Sequence, residues 1–193
     1  MIARLVGIVV LLAAGAACSS DEEWTRPPIG RPLDASAYAD RACDLLPADR
    51  ATGLGYSGSG SAGSETDGEG SRYHFCLRTP PESRILSIYL YLAGDVLAAR
   101  YAGSKNMVIN DTGEPWLEPV TIGEQPGVTL GRSHRKPNAA CTVVVGLSDT
   151  QGVEVRAAQH YPDARGYEIG PGDGRACEHA IGVAEVIVGE LAG

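Results

Sequence analysis

Five cysteines are the residues of this chain with the most chemistry to offer, and their settings divide them into one and four. Cys18 stands apart. It follows Gly15, Ala16 and Ala17 at the end of an uncharged run, LVGIVVLLAAGAA. Small side chains there fit a signal-peptidase cleft, and a cysteine at the first mature position accepts a diacylglyceryl thioether. The usual bacterial lipobox has an aliphatic residue three places before the cysteine, where this chain has Gly15. The thirteen uncharged residues follow Arg4 and fall short of the roughly twenty a spanning helix needs; they match a signal-peptide apolar region. Residues 1–17 are therefore expected to be a signal peptide, and residues 18–31 a tether lipid-anchored through Cys18. That places the protein at the cell membrane, on the extracytoplasmic face. Two acyl chains hold a protein stably at a bilayer, where one binds marginally.

Cys43, Cys76, Cys141 and Cys177 remain. An even number in an exported chain reads as two disulfides, and four cysteines allow three pairings. Cys43 falls on a helical segment and Cys76 on a strand. Cys141 falls on a strand and Cys177 on the last helix. The pairs nearest in sequence, Cys43–Cys76 and Cys141–Cys177, would each pin one helix to the sheet. They close loops of about 33 and 36 residues, which the chain-entropy account values at roughly 3–4 kcal/mol each. A metal site is not expected. There is no Cys-x-x-Cys, and in Cys177-Glu178-His179 the cysteine and histidine are neighbours two apart, which do not face each other on a helix.

The other reactive types form no constellation. His74, His134, His160 and His179 are scattered and read as solvated, with His74 on the strand face opposite the presumed core. Gly58-Ser59-Gly60-Ser61 lies in low-complexity sequence without the preceding strand that a nucleophile elbow requires. No Gly-Lys-Ser/Thr follows the glycines and no Asp-x-Asp loop occurs. No catalytic residue and no cofactor is assigned, and the chain is not expected to be an enzyme. The alternative is an envelope hydrolase with an unrecognised site, where a carboxylate would meet His134 or His160. Tyr89, Tyr91 and Trp116 are the remaining candidates. The tyrosines stand opposite a row of leucines and Trp116 lies in a Gly/Pro-rich stretch, so an uncovered face would make a ligand groove of them. A covering helix, or the 104–118 segment, would make them core.

The elements that must position these residues follow from composition and pattern. The 193 residues are 44% hydrophobic and 21% charged, a globular balance with room for one domain after a leader and tether. Phe occurs once and aromatics are 6%, so the core must rest on Val, Ile, Leu and Ala. The net charge of -8 becomes -9 once Arg4 is removed with residues 1–17. Such a domain is repelled by nucleic-acid phosphates and anionic headgroups, so nucleic acid is not a partner and membrane contact comes through the lipid.

A single domain is expected over residues 32–193. A helix should start at Leu33-Asp34, with Asp34 as cap and Leu33 and Tyr38 as staple. Pro47 opens a second short helix that Gly53 or Gly55 ends. Residues 55–71, rich in Gly and Ser, read as a mobile loop. Residues 72–78 and 85–92 are strands, 95–102 a weak helix and 104–118 irregular. Val120–Ile122 and Val128–Leu130 are short strands, and 140–147 with 153–158 form a hairpin. Asp173 should cap a last helix whose stripe is Cys177, Ile181, Ala184, Val188 and Leu191. Locally paired strands between terminal helices predict an α+β fold, with an antiparallel sheet of about five to six strands.

The residues also resemble a known family. The lipobox, Pro32-Leu33-Asp34, Cys43-Asp44-Leu45-Leu46-Pro47, the strand Cys76, Ile122-Gly123, Gly127-Val128, Cys141-Thr142-Val143-Val144-Val145 and Ala176-Cys177 together resemble the actinobacterial lipoprotein family catalogued as domain of unknown function three-five-five-eight. The likeness covers about residues 32–192 and rests mainly on the four cysteines and their settings. It implies a small envelope lipoprotein with an α+β domain, similar to other mycobacterial-type lipoprotein and kinase-sensor ectodomains. It brings no activity and no catalytic residue. The expected function is a non-enzymatic binding or accessory module of the envelope, whose partner is a protein, a glycan or a lipid.

Overall fold

The computed structural model describes residues 26–56, 58–66, 68, 70–78, 84–104, 116–131, 140–159, 161–163, 166–168 and 175–193. Two 3-10 turns, Ser36–Tyr38 and Ala42–Leu45, lead into helix α1 (Ala48–Gly53). Strands β1 (Ser61–Thr66), β2 (Arg72–Arg78) and β3 (Arg84–Tyr91) follow, then helix α2 (Val96–Ser104). Next come β4 (Trp116–Ile122), β5 (Gln125–Gly131), β6 (Ala140–Gly146) and β7 (Gly152–Gln159). A small hairpin, β8 (Tyr161–Asp163) with β9 (Gly166–Glu168), precedes helix α3 (Ala176–Ala192). Seven strands form one sheet in the order β1-β2-β3-β7-β6-β5-β4. Every pairing is antiparallel. The class is α+β as expected, with more strands than expected.

Strand alternation gives the sheet two faces. One carries Cys76, Leu86, Ile88, Leu90, Val143, Val145, Val153 and Val155, all fully buried. α3 packs on this face over β6 and β7, and the second 3-10 turn lies against β2 and β3. Burying each such aliphatic side chain stabilises by about 1.5–3 kcal/mol. On the other face α2 packs on β6 and β7, and its Val96, Leu97 and Tyr101 cluster with Val128 and Val144. β6 is thus covered on both sides, which is why Val143-Val144-Val145 does not alternate with polar residues. Asp95 caps α2, accepting from the Ala98 N–H at 2.9 Å.

Both disulfides form as paired above. Cys43–Cys76 has a Cα separation of 4.8 Å and Cys141–Cys177 one of 5.0 Å. The first ties the second 3-10 turn to β2, and the second ties α3 to β6.

Several expectations are corrected. Part of the 55–71 loop is an edge strand, β1, paired along β2 from Ser61↔Leu77 to Thr66↔Arg72. Two glycines, Gly60 just before it and Gly63 within it, are required by close approach. A Cβ on Gly60 would sit 2.7 Å from the Cys76 sulfur, and one on Gly63 would sit 2.5 Å from the Phe75 ring. The helix expected from Asp34 is instead two 3-10 turns broken at Arg41, whose φ is -143°. Asp34 accepts from the Ser36 N–H at 2.9 Å and from the Gln151 amide at 3.1 Å, which serves a turn and not an α-helical first turn. Residues 116–118, expected to be irregular, begin β4. On α3 the buried stripe is Ala176, Ala180, Val183, Ala184, Ile187 and Val188. Cys177, Ile181 and Leu191 flank it half-buried, because the alanines let the helix axis close on the sheet. Asp173, the expected cap, lies outside the described residues.

Residues 26–35 run along the domain instead of hanging free. Arg26 pairs with Asp95 at 2.7 Å and with Asp149 at 2.8 Å. Gln125 Nε2 donates to the Arg31 carbonyl at 2.8 Å, and the Leu33 N–H donates to the Leu147 carbonyl at 2.8 Å. The Ala35 N–H donates to Gln151 Oε1 at 2.9 Å.

Candidate binding surface

The α2 face of the sheet is filled at its β6 end by the helix and carries a different chemistry at its β1–β3 end. Register sets three rows there. Glu65, Tyr73, Tyr91 and Gly152 align; so do Gly63, Phe75, Tyr89 and Glu154; so do Ser61, Leu77, Ser87 and Arg156. The rings pack on one another. Tyr73 meets Tyr89 edge-on at 5.5 Å between centroids, Tyr91 at 5.8 Å and Phe75 at 6.5 Å. Tyr91 is buried, Tyr73, Phe75 and Tyr89 are half-buried, and Leu77 is the exposed large hydrophobic among the described residues.

Charge is threaded through this shelf. Glu154 is 1% exposed, yet both carboxylate oxygens are engaged. Arg100 of α2 donates to Oε2 from Nε at 2.9 Å and from Nη2 at 2.6 Å. Arg156 donates from Nε to Oε1 in a very short contact. Two guanidinium partners offset the desolvation that a lone buried carboxylate would suffer. Arg100 Nη2 also reaches the Tyr91 hydroxyl at 3.3 Å, and the Arg156 guanidinium lies over the Tyr89 ring at 4.6 Å. At the outer edge the Tyr73 hydroxyl donates to Glu65 Oε2 at 2.7 Å.

These contacts move protons. The Tyr73 hydroxyl's bond to Glu65, with some desolvation and the nearby negative charge, pushes it up to about 12. Burial and then Glu154 raise Tyr91, against the lowering effect of Arg100 and Arg156. Burial alone would lower Arg100, but Glu154 and Tyr91 more than offset this and the net shift is upward. None of these groups is poised near neutral pH for proton transfer.

Two cavities open on the shelf. One of about 150 Å³ is lined by Glu65, Tyr73, Phe75, Leu77, Ser87 and Tyr89, with Cys76 beneath. The other, about 110 Å³, is lined by Ser71, Tyr91, Gly94, Asp95, Ala99 and Arg100 among others. Tyr73 lines the first and Tyr91 the second, and their rings lie 5.8 Å apart.

Of the sequence-selected groove residues, Tyr89 and Tyr91 are in this shelf and Trp116 is not. Trp116 begins β4 at the far edge of the sheet, with β7, β6 and β5 between it and β3. In register it aligns with Gly131, Cys141, Ala157 and Leu86. His74 is 7% exposed on the α3 face, in the row of Leu90, so its expected solvation is reversed. The reason is that β2 turns its large rings to the open face and Cys76 to the closed one. His179 on α3 meets Tyr56 edge-on at 6.2 Å. Cys18, His134 and His160 lie outside the described residues. Among the described residues no cluster of three or more His, Cys, Asp or Glu is placed to hold a metal, and no helix is long and apolar enough to cross a membrane.

Sequence reasoning missed Glu65, Tyr73, Arg100, Glu154 and Arg156. A signal existed in Val153-Glu154-Val155-Arg156-Ala157, where opposite charges alternate with apolar residues and so share the second face of a strand.

The fold and shelf define a disulfide-braced α+β domain with an aromatic, charge-balanced surface. The chain belongs to the family described as Protein of unknown function (DUF3558), whose sequence model matches residues 13–190. No curated protein and no solved structure matches the chain.

Proposed function

We propose that the protein is a lipid-anchored, extracytoplasmic binding module whose ligand surface is the shelf on β1, β2, β3 and β7. The observation that carries this reading is the convergence of Tyr73, Phe75 and Tyr89, half-buried, with the Arg100 and Arg156 side chains, 37% and 47% exposed, beside two openings. Rigid rings with polar edges are the usual furniture of recognition surfaces. A hydrolytic role is disfavoured by the same contacts. Glu154 is locked between two arginines and Glu65 is engaged by a phenol, so neither carboxylate is set beside an attacking water. The two disulfides support an oxidising compartment. The apolar leader and Cys18 support export and acylation.

The test uses full-length protein purified in detergent. It is mixed separately with envelope glycan, lipid and protein fractions, and tyrosine accessibility is read by hydroxyl-radical footprinting. The reading expects one fraction to protect Tyr73 and Tyr89. Protection confined to other surfaces, or none, overturns it. Intact mass and detergent-phase partition test the anchor; an unacylated Cys18 sinks that half.

A further inference from the structure

Resting on the reading of the shelf as a ligand surface, we infer that its ligand is a neutral saccharide chain that seats one ring at Tyr73 and another at Tyr91. The surface carries no excess of positive charge. Arg100 and Arg156 are balanced by Glu154 and Glu65. At the second cavity Arg26 meets two acids, Asp95 at 2.7 Å and Asp149 at 2.8 Å. Such a surface gives phosphate or carboxylate ligands no Coulombic advantage, and Glu65 at the mouth repels them.

Apolar and polar atoms are paired on the shelf as they are on a sugar ring. A pyranose presents a C–H face and an edge of hydroxyls. The larger cavity presents the rings of Tyr73, Tyr89 and Phe75 with the Glu65 carboxylate and Ser87 hydroxyl. Arg156 stands beside it over Tyr89. Its volume of about 150 Å³ is the size that takes one six-membered ring. An acyl chain would fill the same space but offer the Glu65 carboxylate and the Ser87 hydroxyl no hydrogen bond in place of water.

A second opening lies beside Tyr91, whose ring is 5.8 Å from that of Tyr73, and it too sets an aromatic ring beside polar groups, here Arg100, Asp95 and Ser71. Two such openings on one face suit consecutive units of one chain. Engaging both makes the second contact intramolecular.

The test is calorimetric titration of the full-length protein in detergent with neutral hexose and pentose oligosaccharides of one to six rings. Affinity is expected to rise by about tenfold or more from one ring to three. Tyr89→Ala should lower it by about tenfold or more, and Glu65→Ala by several-fold. Glu65 is an exposed residue on an edge strand, so its variant keeps the fold if Tyr89→Ala does not. Polyuronate oligomers and phosphatidylcholine vesicles are run in parallel. If either of these binds with Tyr89 dependence and the neutral series does not, the ligand surface stands and the saccharide inference falls. If nothing binds, or binding ignores both substitutions, the saccharide inference falls; the ligand surface falls with it only when no envelope fraction, protein included, protects Tyr73 and Tyr89. A flat response to chain length overturns the two-ring arrangement.

Discussion

Glu154 decides whether the shelf holds together, because two guanidinium groups converge on it from different elements. Arg100 comes from α2 and Arg156 from its own strand β7. Replacing Glu154 by Gln removes the charge that holds them and leaves two cations facing each other. Breaking a fully buried pair costs about 3–5 kcal/mol, but these arginine side chains are 37% and 47% exposed, so solvent recovers part of it. The expected loss is about 1–3 kcal/mol in urea unfolding. Tyr73 supplies a second outcome. Its proton is held in the folded state up to about 12 against 10.0 when unfolded. The sign follows: the stabilising contribution is complete below pH 10 and is lost as pH rises toward 12. The difference in phenolate absorbance between wild type and Tyr73→Phe should titrate in that window. Glu65→Ala, by removing the acceptor, should shift it down. A normal Tyr73 titration would show the bond to Glu65 is not maintained in solution.

At the scale of elements, what the sequence revealed depended on whether local pattern and tertiary contact agreed. β3 and the β6–β7 hairpin were legible because alternation, β-branched content and turn residues all pointed one way. The disulfide pairing was legible because, of the pairings that join helical segments to strands, the bridges close the pairs nearest in sequence. β1 was not legible. Ser61-Ala62-Gly63-Ser64-Glu65-Thr66 has weak strand propensity, and what orders it is the neighbouring strand and the bridge packed under Gly60. The shelf was half legible for the same reason. Tyr89 and Tyr91 announced themselves by alternation, whereas Trp116 was joined to them with no knowledge that β7, β6 and β5 intervene. Gly63→Ala isolates the point. A methyl there meets the Phe75 ring at 2.5 Å, and the ring must move. Overpacking of this kind costs about 1–3 kcal/mol. The expected result is a lower urea midpoint with faster amide exchange along β1, while the β6–β7 amides stay protected. Unchanged β1 exchange would mean that Phe75 yields freely and the glycine is incidental.

The whole molecule is held by ties between its ends and its sheet. The Cys141–Cys177 bridge fixes the start of α3, the helix that brings Ala180, Val183 and Ile187 to the core. The paired Cys141→Ser and Cys177→Ser variant should lose about 3–4 kcal/mol by unfolded-chain entropy, read as a lower urea midpoint. The other tie is Arg26, which holds its segment to Asp95 and Asp149. If Cys18 carries the lipid as proposed, it lies eight residue steps before Arg26, and even fully extended these reach only about 26–29 Å. A tether free to Leu33 would reach roughly 50 Å. Arg26→Glu places a third acid beside Asp95 and Asp149 and should release the segment back to Arg31, where Gln125 makes the next hold. The extended reach then grows to about 45 Å. Asp95 also lines the smaller cavity, so the chain arrives from the anchor next to the proposed ligand surface. A close tether would therefore keep that surface near whatever glycan lies just outside the bilayer. Energy transfer from a dye on the domain to labelled headgroups in vesicles carrying the acylated protein measures this separation. Weaker transfer is expected for Arg26→Glu than for wild type. Equal transfer would mean that the ion pairs at Arg26 do not govern the stand-off.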